Sequence, residues 1–93
     1  MIVSFSCGET AKIAEGKISA KFPRDIQKTA LRKLAFIEAA VSIQGIGALP
    51  GNRLEALKGD RKGQYSIRVN DKYRICFRWE EGAAVGVHLI DYH

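Results

Sequence analysis

Two short stretches of strict alternation, separated by three turn-forming residues, constrain this chain more than any other feature. Tyr65, Ile67 and Val69 alternate with Ser66, Arg68 and Asn70, and after Asn70-Asp71-Lys72 the residues Tyr73, Ile75, Phe77 and Trp79 alternate with Arg74, Cys76 and Arg78. A period of two is the signature of a half-buried strand. Asn and Asp tolerate the left-handed backbone that a tight reversal needs, so the pattern predicts a hairpin. One face of that hairpin is large and apolar and must be covered. The other carries guanidinium groups, and the economical arrangement is an antiparallel sheet with a single cover.

The cover is a helix. Ile26, Ala30, Leu34, Ile37 and Val41 recur at helical spacing, Pro23 suits a first turn, and Asp25 sits near the positive end of the dipole. Gly45 is the natural stop. A helix over 23–44 would be roughly 33 Å long, enough to cross a small sheet. Lys28, Arg32 and Lys33 fall off the stripe and are expected on its solvated face. Residues 2–5 are expected to form an N-terminal strand and residues 9–15 a shorter helix ended by Gly16. The glycine-punctuated run 45–52 is expected to be a loop; it lacks the Gly-Lys-Ser/Thr of a phosphate loop. A short strand is expected over 53–57, a turn over 58–63, and a last strand over 83–90 with Val85, Val87 and Leu89 on one face. The predicted class is therefore α+β, an N-terminal strand and helices packed on one face of a mostly antiparallel sheet. With 93 residues, a single domain spanning 1–93 is expected.

Nothing approaches the ~18 consecutive apolar residues of a membrane helix, and the start MIVSFSCGE lacks the basic leader and apolar core of a signal peptide. Cys7 and Cys76 each lie in or beside apolar runs and read as reduced, core-filling thiols. His88 and His93 have no zinc-ligand spacing with them. A cytoplasmic protein without metal or cofactor is expected.

Charge is unevenly placed. Between Arg53 and Trp79 there are eight basic residues, Arg53, Lys58, Arg61, Lys62, Arg68, Lys72, Arg74 and Arg78, against Glu55, Asp60 and Asp71. That segment carries +5, the net charge of the entire chain. Acids are scarce beside Arg68, Arg74 and Arg78 on the open face of the hairpin, so a solvated, scattered-charge face explains them less well than a grip on successive phosphates. The chain ends in Asp91-Tyr92-His93. A terminus commonly frays, yet the apolar pattern runs up to Ile90, and pairing could carry the tail beside Arg74. A carboxylate, a phenol, an imidazole and fixed cations suffice for general acid–base cleavage of a phosphodiester. RNA supplies its own nucleophile, the 2′-hydroxyl, so no metal is required.

These residues also carry a resemblance. LKGDRKGQYSIRVNDKYRICF followed by a terminal IDYH resembles the HigB branch of the RelE toxin superfamily, the plasmid maintenance killer proteins, whose pattern is close to L-H-P-L-K-G-D-x-x-G-x-W-S-I-x-V-x-x-N-W-R-I-x-F ending in D-Y-x-D-Y-H. The resemblance implies a RelE-like, microbial-ribonuclease-type fold. It implies the toxin of a type II toxin–antitoxin module, an endonuclease that cuts mRNA on the ribosome and is held by a HigA-like helix-turn-helix antitoxin, which could assemble as a heterotetramer. By position, Lys58 and Arg74 would contact the scissile phosphate, and Asp91, Tyr92 and His93 would orient the 2′-hydroxyl and move protons. Arg53, Arg61, Lys62, Arg68 and Arg78 would bind RNA. Glu55-Ala56 stands where the family commonly has His-Pro, and Tyr65 and Tyr73 replace its tryptophans. Glu55 is therefore either a catalytic carboxylate or a structural partner of Arg53 or Arg74. The alternative is a weakened or non-catalytic RNA- or ribosome-binding member of the same fold.

Overall fold

In the computed structural model, which describes residues 1–91, the apolar stripe of the central helix meets the apolar face of the hairpin. Tyr92 and His93 lie outside the described residues. Helix α1 (Gly8–Ala14) is followed by α2 (Arg24–Ala39), with Pro23 at its N-terminal boundary and Asp25 in its first turn. Ile26, Ala30, Leu34 and Ile37 are all buried, as their spacing predicts. They pack with Ile67, Ile75, Phe77, Val87 and Leu89 in one cluster, where each large side chain contributes about 1.5–3 kcal/mol.

The predicted helix over 23–44 is two elements. The backbone turns extended at Ala40, and α3 (Ile43–Gly47) restarts after Ser42, whose Oγ accepts from the Gly45 N–H. A serine that can cap a new helix competes with continuation of the old one. Val41, expected in the stripe, is consequently 88% exposed, and Ile46 of α3 fills the core instead. The run expected to be a loop thus contains α3 and a 3-10 turn, Pro50–Asn52.

The sheet has four antiparallel strands in the order β1 (Glu55–Ala56), β2 (Gln64–Arg68), β3 (Tyr73–Glu80) and β4 (Ala83–Asp91). Residues 2–5 run parallel to β4 through bridges from Ile2 to Ala84 and Phe5 to Val87. A second 3-10 turn, Gly59–Arg61, lies between β1 and β2. The hairpin reversal is held by Asn70 Oδ1, which accepts from the N–H groups of Lys72 and Tyr73.

Strand β4 departs from simple alternation. Cys76 pairs with His88 and Arg78 with Val85, so Gly86 and Val87 both face Phe77. Gly86 has φ +67°, the left-handed conformation of a glycine-led β-bulge. The extra residue shifts the phase. Ala84, not Val85, joins Val87 and Leu89 on the core side, and Val85 is only half-buried.

Lys33 also corrects an expectation. It is buried rather than solvated, donating from Nζ to Asn52 Oδ1 at 2.6 Å and to the Gly51 carbonyl at 3.1 Å. Burial lowers its pKa, with repulsion from Arg32 and Arg68 adding to the effect. Asn52, fully buried, donates in turn to the Ile46 carbonyl. This network pins the segment that leads into β1.

Candidate nucleic-acid cleavage site

Cross-strand partners share a face of a sheet, and register therefore assembles the site. Glu55 pairs with Ser66, Ser66 with Cys76 and Cys76 with His88, one row across the face turned away from α2. Alongside runs a second row, Arg68, Arg74 and Ile90. The basic face expected from the sequence is built by four strands, but it is covered at its centre: Ser66 and Cys76 are buried, and Arg68, Arg74 and His88 are only partly exposed.

Arg74 is the best-fixed cation on that face. Its Nε donates to Ser66 Oγ at 2.7 Å, and its Nη2 donates to the carbonyls of Arg53 and Ser66. Arg53 can offer its carbonyl because it adopts a left-handed backbone, φ +44°. The β3–β4 register puts Arg74 opposite Ile90, one residue before Asp91. Asp91 itself pairs with Tyr73, which turns its side chain towards the other face, where it forms an ion pair with Lys72 at 3.5 Å. The register thus brings the end of β4 beside Arg74 but points the Asp91 carboxylate away from it. The expectations for Tyr92 and His93 fall outside the described residues.

Glu55 and Lys58 come from β1 and the residue before the second 3-10 turn, and with Ala56 and Leu57 they line a depression of about 410 Å³. A depression of similar volume lies between the N-terminal segment, α1 and α2. It is lined mainly by Ile2, Phe5, Leu31 and Leu34, and so offers nothing to hold a phosphate. Among the described residues no cluster of His, Cys, Asp and Glu could hold a metal ion.

The remaining basic residues are less open than expected. Arg68 is paired with Asp71 and Arg78 with Glu80, the acids coming from the β2–β3 turn and from the last residue of β3. The Arg68 guanidinium holds the Asp71 carboxyl below its usual range. These are exposed pairs of small net value, which a polyanion can displace. Arg61 is turned inward to His88, 3.2 Å from Nη1 to Nε2. His88 is a residue that sequence reasoning passed over, since its partner stands far away in the chain. Lys62 is exposed at the end of the same turn. Burial raises the pKa of the Cys76 thiol, opposed by Arg61 and Arg74; Cys7 and Cys76 are both free.

A sequence model of one protein family, described as RelE-like toxin of type II toxin-antitoxin system HigB, matches residues 13–93. The chain belongs to this family of HigB-like toxins. It is 42% identical over 67 residues to Toxin HigB-1 of Vibrio cholerae serotype O1, covering 72% of this chain and 70% of that protein. It is also 44% identical over 41 residues to Endoribonuclease HigB of Proteus vulgaris, covering 44% of this chain and 45% of that protein. The α+β architecture of the HigB-like chain fits a RelE-like toxin, and a type II toxin implies an antitoxin partner. Among the described residues no helix is long and apolar enough to cross a membrane.

Proposed function

We propose that this HigB-like toxin is an endoribonuclease that cuts mRNA on the ribosome by metal-independent transesterification. One observation supports it above the others: Arg74, oriented by Ser66 and Arg53, stands on the outer basic face opposite Ile90, where the chain enters its Asp-Tyr-His end.

In this reading Arg74 and Lys58 bind the scissile phosphate and stabilise the charge that accumulates on its oxygens. The ribose 2′-hydroxyl loses its proton to a base, and its oxygen bonds to phosphorus. The bond to the 5′-oxygen breaks, and that oxygen takes a proton from an acid. The products are a 2′,3′-cyclic phosphate and a free 5′-hydroxyl. Glu55 and His93 are the candidates to move these protons, with Tyr92 orienting the ribose. Asp91 acts through the strand end, anchoring it by way of Lys72. Arg53, Lys62, Arg68 and Arg78 hold flanking phosphates. The partner is a HigA-like antitoxin, and its acidic elements would dock on the same basic face.

The reading is tested by expressing the chain without antitoxin and mapping new mRNA 5′ ends. Cuts in translated messages that vanish with Arg74→Ala are expected; continued translation without cuts would overturn it. The binding-only alternative draws on the orientation of Asp91 and on Glu55 in place of the family histidine. It predicts growth inhibition that survives deletion of the last three residues.

A further inference from the structure

His88 lies on the same face as Arg74 but has no part in the reaction just described. Its imidazole is held from both sides. Nδ1 lies 3.0 Å from the Gly86 carbonyl and 3.0 Å from Ser6 Oγ, and Nε2 lies 3.2 Å from Arg61 Nη1. A guanidinium can only donate, so Nε2 must accept. The proton of the ring is then on Nδ1, donated to the Gly86 carbonyl. Ser6 Oγ donates to that same carbonyl at 3.0 Å. Gly86 is the bulge residue, and its N–H donates to Ser4 Oγ at 2.9 Å. The imidazole therefore stands on a residue whose two flanking peptide groups are both held by the N-terminal segment.

The other end of the contact is what gives it meaning. Arg61 closes the 3-10 turn Gly59–Arg61, and Lys58 is the residue immediately before that turn. Gly59, which opens the turn, and Gly63, two residues past its end, have φ of +65° and +95°, conformations that glycine adopts without strain. The charges facing His88 are Arg61 from the turn and, from β3, Arg78 near Gly86, with the Cys76 thiol directly opposite.

We propose that His88 is a positioning residue for Lys58: by accepting from Arg61 it holds the turn across the outer face, keeping the lysine over the reacting phosphate. This deepens the proposed cleavage reaction and rests on it. His88 touches neither substrate nor reacting atoms; it acts through Arg61.

The test uses the full chain with three substitutions. His88→Ala is expected to lower kcat by about 10-fold, with KM changed less than twofold, and Arg61→Ala to do the same; the double variant should lose little more than either single one. His88→Gln, whose amide oxygen reaches the place of Nε2, should recover most of the rate. ¹⁵N NMR of the imidazole should show the proton on Nδ1. Amide exchange at residues 59–63 should quicken in His88→Ala and not in His88→Gln. A wild-type enzyme that cuts RNA while His88→Ala keeps full rate, or losses that multiply in the double variant, would overturn the proposal. A chain that cuts no RNA would fail the cleavage reading, and exchange at 59–63 would still judge this one. Unchanged exchange, or a proton on Nε2, rejects it without reference to activity.

Discussion

Arg74 and Ile90 are cross-strand partners on the outer face of the sheet, so their backbones lie one strand spacing apart. Because Ser66 Oγ and the Arg53 carbonyl set its plane, Arg74 is aimed as well as charged.

Arg74→Lys should therefore be almost as damaging as Arg74→Ala. An ammonium is a point charge and cannot keep both anchors while facing a phosphate. Both variants are expected to lose about 10²–10³ in kcat, the magnitude found for a lost transition-state donor. Single-turnover cleavage measures the loss, with thermal melting as the control for folding.

Arg68→Ala and Arg78→Ala should weaken binding to a non-cleavable RNA. Each should reduce the slope of log affinity against log salt by about 1. Fluorescence anisotropy at several salt concentrations tests this. An unchanged slope would show that Asp71 and Glu80 retain these arginines in the complex.

Lys33 should give stability an alkaline signature. Burial lowers its pKa in the folded chain, so the unfolded chain binds that proton more tightly. Stability then rises with pH between the folded value and the unfolded value of about 10.4. Urea unfolding should show this rise in the wild type and not in Lys33→Met, which should also lose about 1–3 kcal/mol near neutrality through the orphaned Asn52 carbonyl oxygen. Parallel pH curves for the two proteins would contradict it.

Phe77 is fully buried and contacts both Tyr65 and Trp79 through its ring. Phe77→Ala should cost about 3–5 kcal/mol, while Phe36→Ala, at a site 38% exposed, should cost well under 1 kcal/mol. Chemical denaturation compares the two.

The hairpin was legible in the sequence because alternation and turn chemistry act over a few neighbouring residues. Its register then followed, and with it the place of Arg74. The end of α2 was not legible, because Val41 continues the apolar stripe while Ser42 caps a new helix, and tertiary packing of Ile46 decides between them. Lys33 looked solvated because its partner Asn52 is 19 positions away. Arg61 looked open for the same reason, with His88 27 positions away. Val85 was misplaced because a bulge adds a residue without leaving a mark on composition. Asp71 in the turn and Glu80 at the end of β3 were visible, but their reach back to Arg68 and Arg78 was not.

Gly86 gives the protein a point of adjustment remote from the phosphate it would cut. Deleting it would leave Ala84, Val87 and Leu89 in regular inward alternation, so a straightened strand would still fold against the helices. What would change is the lateral seating of Ser4, Ser6 and the imidazole, and the direction in which the strand delivers its last residues. A lineage could thus attenuate such a toxin by losing one codon that encodes none of the side chains proposed to meet RNA.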